Sequence, residues 1–431
     1  MLPRNALHVV LTVLALALAA RADDAAPPPP LPTDSESLSK SRELVPAFQT
    51  SSSKHYVLLT DAPADNVQKV ISLLEATHDA FHANCRRLKL QPKALRHKLV
   101  AILFRDKSAF AAFAKANDGM DQAWAAGYYK PGPDRLVLYD AFSSPDVQKA
   151  MAKLAANERK VKAGATASQK QQMLEQIRSQ KSDIIDDVED NFFGTVAHEA
   201  AHQLFFHTGI QNPQVPYPRW LAEGLATAFE VDELNDRAVG FFADNPRRVA
   251  AHKAAATADR LIPLRVLVTE DRYGAGGGNN LKGELADFYG QAHMLTSWLA
   301  RSRPTEFRLY LEALRDGVHA MPSRRQPLFE SIFGPIAMFE RVWMRSMSRQ
   351  WPGLMDTPWG QRLRDYEASG PSDAEKHGSK AVAKPAAEPK PSDDAKPDAA
   401  AKPPEAPKAT ETPATPPVTD PAAKPAEPSA P

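Results

Sequence analysis

Proline recurs every few positions from residue 369 to the end of the chain, among Lys, Ala, Glu, Thr and Asp, with no aromatic side chain. Such a stretch cannot bury enough apolar surface to offset the entropy of ordering itself. Residues 369–431 are therefore expected to form a disordered, low-complexity tail. A second proline-rich stretch, "AAPPPPLPTDSESLSKSRE", reads as a polar spacer over 23–53. Ahead of it, Arg4 leads into the apolar run "ALHVVLTVLALALAA", followed by Ala20-Arg21-Ala22. That run is short for a bilayer span, and its small-residue ending is the pattern of a cleaved signal peptide over 1–22. The two flanks hold most of the 38 prolines and confine a packed fold to residues 54–366.

An exported chain is secreted, periplasmic or held at the cell envelope, with no stable membrane span once the signal is removed. Its tail is a candidate for contact with the envelope. Charge is balanced, 53 Lys+Arg against 52 Asp+Glu, so no basic excess marks a nucleic-acid binder. Cys85 is the single cysteine, which excludes an internal disulfide and leaves stability to core packing or a bound metal.

Within 54–366 the apolar pattern changes period. "HYVLLT" (55–60) and "HKLVAILF" (97–104) are short buried-strand runs. Between them Val67, Val70, Ile71, Leu74 and Phe81 recur at helical spacing until Pro92. "DKSAFAAFAKAND" is helical, and "AAGYYK" and "RLVLYDAF" are strands joined by Pro-Gly-Pro-Asp. This β-α-β-α-β-β order predicts an α+β fold: a small mixed sheet with helices, followed by a mostly helical half from 191 to about 364. Residues from about 145 to 190, charged and rich in alanine and glutamine, read as a solvated helical insertion with a break near "AGATASQ".

The helical half contains "GTVAHEAAHQLFFH" (194–207). Residues i and i+4 of a helix share a face, so His198 and His202 can present both imidazoles to one ion. Glu199, about a quarter-turn away, is placed to take a proton from a water there without being a ligand. The spacing suits Zn²⁺. A third ligand is still required. A third histidine six residues after His202 is absent: Phe205 and Thr208 occupy the two diagnostic positions, and His207 is one residue out of register. No Gly-Thr-x-x-Asp-like segment follows either. "PRWLAEGLATAFEVDE" (218–233) predicts a second helix with Leu221, Leu225, Ala228 and Phe229 as its apolar stripe. Glu223 lies off that stripe, where a carboxylate is costly unless something pairs with it. Glu223 is thus the expected third ligand, with Glu230, Asp232 and Glu233 as the acids to consider next.

"HEAAHQ" followed by "RWLAEGLATAFE" resembles the gluzincin metallopeptidases, in particular the His-Glu-x-x-His … Trp-Leu-x-Glu-Gly pattern of aminopeptidase-N-like enzymes. It is more similar still to peptidase-MA-like domains of unknown function in exported bacterial proteins. The likeness extends over "DFYGQAHMLTSWLA" (287–300), "LFESIFGPIAMFERVWMRSM" (328–347) and, more weakly, the strands, covering roughly 54–350. The resemblance implies a zincin-like fold, His198, His202 and Glu223 as zinc ligands, and Glu199 as general base. It also implies that Tyr289 stabilises the developing oxyanion. Two features of those families are missing. There is no Gly-x-Met-Glu-Asn amine-binding segment, and Ala222 rather than Asn precedes Glu223.

Other residues have plainer readings beside functional ones. Tyr289 and His293 share a helix face, and each is either part of the site or ordinary core. Glu230 is placed to orient a ligand histidine. "YGAGGGNNLKG" (273–283) lacks a Gly-Lys-Ser/Thr ending and is a surface loop or lid rather than a nucleotide site. The expected function is an exported zinc metallopeptidase acting on a peptide or protein. The alternatives are a catalytically silent zinc-containing binding module and a zinc hydrolase of a non-peptide bond.

Overall fold

The computed structural model describes residues 30–368, apart from 121–125, 165–166, 231–239, 243, 272–280, 316 and 318–320. The signal peptide, the tail, Asp232, Glu233 and most of the glycine-rich segment lie outside the described residues.

Strands β1 (Gln49–Ser52), β2 (Tyr56–Thr60), β3 (Leu99–Phe104), β4 (Gly127–Lys130) and β5 (Arg135–Tyr139) form one mixed sheet, ordered β1-β2-β3-β5-β4. The three inner strands run parallel, with Leu58 opposite Ala101 and Ala101 opposite Leu136. Both edge strands are antiparallel to their neighbours. Every residue of β2 and β3 is buried, because helices cover both faces; this is why these strands read as continuous apolar runs.

The pleat divides their side chains between two cores. Val57, Leu59, Val100 and Ile102 pack with Phe110 and Phe113 of α3 (Lys107–Asp118) and Leu38 of α1 (Glu36–Leu44). Tyr56, Leu58, Leu99, Ala101 and Leu103 face the larger core, shared with α2 (Ala64–Leu88) and the helical half. Helix α1 and strand β1 fall inside the segment expected to be a spacer over 23–53. The polar sequence hides two anchoring side chains, Leu38 and Val45, both buried in the smaller core, and an edge strand held by backbone pairing rather than by apolar burial. The folded unit therefore begins before residue 54.

Helices α4 (Pro145–Gly164) and α5 (Ala167–His207) follow the sheet. Their charged parts pack on each other through a small separate cluster of Leu154, Val161 and Ile177, so the segment read as an insertion over 145–190 is helical. Helix α5 then runs on without interruption into the main core, where Phe193, Val196, Ala200 and Leu204 are fully buried. It ends where Gly209 takes a left-handed φ of 72°. The next residues are tied back by the Gln211 N–H donating to the Phe205 carbonyl and the Asn212 N–H donating to the Tyr217 hydroxyl.

The remainder is helical: α6 (Arg219–Thr227), α7 (Pro246–Thr257), α8 (Leu264–Thr269), α9 (Leu281–Ser302), α10 (Pro304–Arg315), α11 (Pro322–Phe333), α12 (Ile336–Gln350) and α13 (Pro358–Ala368). Helix α6 is shorter than the run expected over 218–233, so Glu230 stands beyond its end rather than on its face. No helix among the described residues is long and apolar enough to cross a membrane.

Candidate metal centre

Helix α5 carries His198 and His202 one turn apart, with ring centroids 4.8 Å from each other. The turn at 208–218 brings α6 against them, and Gly224 sets how close α6 can lie to α9. A Cβ on Gly224 would sit 2.6 Å from the Ala292 carbonyl oxygen and collide with Thr296 Oγ1. Any larger residue would push α6 away and carry the neighbouring Glu223 with it.

Glu223 Oε2 lies 3.2 Å from His198 Nε2 and 3.7 Å from His202 Nε2. Ligand atoms of His198, His202 and Glu223 all fall within 4.8 Å of one another, and the group could hold a metal ion. Zinc bonds of about 2.0–2.1 Å at tetrahedral angles separate neighbouring ligand atoms by about 3.4 Å. Two imidazoles and one carboxylate form a donor set whose chemistry suits a divalent ion such as zinc, and the two histidine–carboxylate separations lie near that spacing.

Glu230 completes the setting from the other side of His198. Its Oε1 is 3.1 Å from His198 Nδ1, which leaves Nε2 free to face Glu223. Arg248 Nε donates to Glu230 Oε2 at 2.8 Å, Asn245 Nδ2 at 2.9 Å and Arg247 at 3.3 Å. A carboxylate so restrained fixes the tautomer and plane of a ligand histidine. The sequence raises Glu230 as a candidate for orienting a ligand histidine, and the fold brings it to His198. Arg248 is not legible there, since two adjacent arginines at the start of an ordinary helix carry no spacing signal.

The electrostatics follow from these contacts. Burial alone would lower the His198 pKa, but Glu223 and Glu230 on either side outweigh it and raise it to about 10. Burial would likewise raise Glu223, yet His198 and His202 hold its carboxyl well below the usual range. Glu230 is held down in the same way, chiefly by Arg248. In Glu199 burial wins, and its carboxyl is raised despite the two histidines. One partner of Glu199 comes from the sheet: the backbone N–H of Tyr129, on edge strand β4, donates to Oε2 at 2.8 Å.

Glu199, Glu223, Tyr129 and Tyr289 line one cleft of about 1070 Å³. The Tyr289 ring meets that of His198 edge-on at 6.0 Å, and the Arg248 guanidinium lies 4.9 Å over it. Burial, then the Glu223 charge, pushes its phenol far above the ordinary value, so the hydroxyl keeps its proton. His207 stands apart from the ligands, with Nδ1 2.7 Å from Asp134. His293 does not orient a ligand. It is fully buried, and neither ring nitrogen has a partner among the described residues.

His252 on α7 is buried in the same unpartnered state. Burial, reinforced in His252 by the neighbouring His293, lowers each to about 4. Around His293 the Glu230 and Asp244 charges oppose the shift while Arg248 and Arg301 add to it. Between about pH 6.5 and 4 the unfolded chain binds protons that the folded chain refuses, so stability falls as pH drops through that window. From pH 6.5 to 5 each histidine removes up to about 2 kcal/mol. Thermal melts across this range should show a steep decline that is flattened in the double variant His252→Gln/His293→Gln. An equally steep decline in that variant would assign the pH dependence to other groups.

Residues 193–319 match a family described as a protein of unknown function (DUF1570). The matched segment takes in His198, Glu199, His202, Glu223, Glu230, Arg248 and Tyr289, while the whole sheet lies before it. No curated protein matches the chain.

Proposed function

We propose that this chain is a zinc-dependent metallopeptidase of gluzincin type, with a zincin-like fold, exported by its N-terminal apolar run and acting on peptide or protein substrates. Glu199 is the observation that carries this reading. A structural metal site has no use for a half-buried carboxyl whose pKa is raised by burial and which an edge strand holds beside the ligands.

His198, His202 and Glu223 would hold the ion. Zinc, when bound, supplies Lewis acidity toward the scissile carbonyl and lowers the pKa of water in the site. Glu199 takes the proton of the attacking water and delivers it to the leaving nitrogen. The phenol of Tyr289 donates to the carbonyl oxygen as negative charge develops there. Glu230 and Arg248 keep His198 in one tautomer throughout.

Purified protein is expected to contain about one zinc per chain and to cleave members of an unbiased peptide library. Chelation should abolish cleavage and added zinc restore it, and Glu223→Ala should lose both metal and activity. Cleavage indifferent to chelation would sink the reading, and full zinc occupancy in Glu223→Ala would remove Glu223 as third ligand and move attention to Glu230, Asp232 or Glu233.

A further inference from the structure

We infer that Arg219 is a specificity-determining residue that binds a carboxylate of the peptide substrate within one or two residues of the scissile bond. The inference rests on the peptidase reading and adds to it a substrate class. Arg219 opens α6 and lies one turn before Glu223, so both side chains emerge on the same helix face and line the same cleft. The other two arginines of that cleft are engaged, since Arg247 and Arg248 both donate to Glu230. Among the described residues Arg219 has no such acid, and its Nε is buried without a hydrogen-bond partner. The nearby acid Asp271 is committed elsewhere. One of its oxygens accepts the Arg219 backbone N–H at 3.0 Å, and the other pairs with Arg325 at 2.7 Å. Tyr289 lines the same cleft, and the Arg219 charge acts on its phenol.

A guanidinium that is partly desolvated and unpaired calls for an anion, and its planar fork suits a carboxylate. One helical turn is about 5.4 Å, and an extended peptide advances about 3.3 Å per residue. A carboxylate on Arg219 therefore belongs to a residue next to the cut or one further along. It is either an acidic side chain or the free C-terminus.

The test uses the full-length chain carrying Glu199→Gln, with and without added zinc. Calorimetry compares peptides bearing Glu or Gln within two residues of the cut, each with a free or an amidated C-terminus. Peptides that offer the recognised carboxylate, as a Glu side chain or a free C-terminus, should bind roughly 10- to 100-fold more tightly than those that lack it, the scale of a charge-assisted hydrogen bond. Arg219→Gln should erase the difference, and Arg219→Lys should restore part of it. If the side chain is the ligand, amidation leaves the preference intact. If the C-terminus is the ligand, amidation weakens Glu and Gln peptides alike, in a manner that depends on Arg219. Three results overturn the inference: no effect of either carboxylate, an effect that survives Arg219→Gln, or no peptide binding. Parallel kinetics in the otherwise wild-type chain separate a further case. Equal loss of turnover on acidic and neutral peptides in Arg219→Gln would move Arg219 to the reacting carbonyl and overturn the subsite. A carboxylate preference in binding without any cleavage would sink only the peptidase reading, and cleavage without that preference only this inference.

Discussion

Glu199→Gln is expected to keep its zinc and its melting temperature while hydrolysing peptides about 10²–10⁴-fold more slowly, the usual loss when general acid–base help is removed. That range corresponds to about 3–5.5 kcal/mol of barrier. The reasons lie in the contacts of this side chain. Its oxygen accepts the Tyr129 N–H, and a glutamine carbonyl can accept the same bond, so the link between α5 and the edge strand survives. The glutamine amide cannot take up a proton. The metal group of His198, His202 and Glu223 does not include residue 199, so metal content should not change. Single-turnover kinetics alongside metal analysis and a thermal melt make the comparison. Turnover unchanged in a fully metallated variant would show that another group handles the proton.

Tyr289→Phe should lower turnover by about 10²–10³-fold, roughly 3–4 kcal/mol of transition-state stabilisation, with KM little altered. The ring's other roles pass to phenylalanine unchanged: the edge-on contact with His198 at 6.0 Å and the place under Arg248 at 4.9 Å. Only the hydroxyl is lost, and with it the one hydrogen-bond donor of a side chain that lines the cleft. If the tyrosine served packing alone, the same change would shift stability by about 1 kcal/mol and spare catalysis. Measuring kcat, KM and melting temperature on this variant separates the two roles. Near-wild-type kcat would remove Tyr289 from the chemistry.

The elements that local pattern can encode are legible in the order of the amino acids. The apolar runs at 55–60 and 97–104 are strands β2 and β3. The helical spacing from Val67 to Phe81 is α2, and the four-residue step from His198 to His202 puts both rings on one face of α5. Glu223 is legible for a different reason, as a carboxylate beside an apolar stripe that needs a partner. Strand β1 and helix α1 are not, because backbone pairing and two isolated buried aliphatics, Leu38 and Val45, leave almost no trace in composition. The end of α6 is equally hidden: its apolar stripe continues through Phe229 although the helix stops at Thr227.

By itself, then, the sequence determined which side chains could meet within one helix and which segments could support a core. Periodicity is a property of neighbours along the chain. Tertiary structure alone decided that Glu230 reaches His198 from the side opposite Glu223, and that Arg248 restrains it. It also decided that Glu199 is held by an edge strand seventy residues away, and that Arg219, among the described residues, is left without an acid while the other arginines of the cleft are paired. Each of these depends on how closely separate elements approach and on the burial that results. Gly224, where α6 and α9 nearly touch, shows that such distances are set by packing between elements and leave no period in the chain.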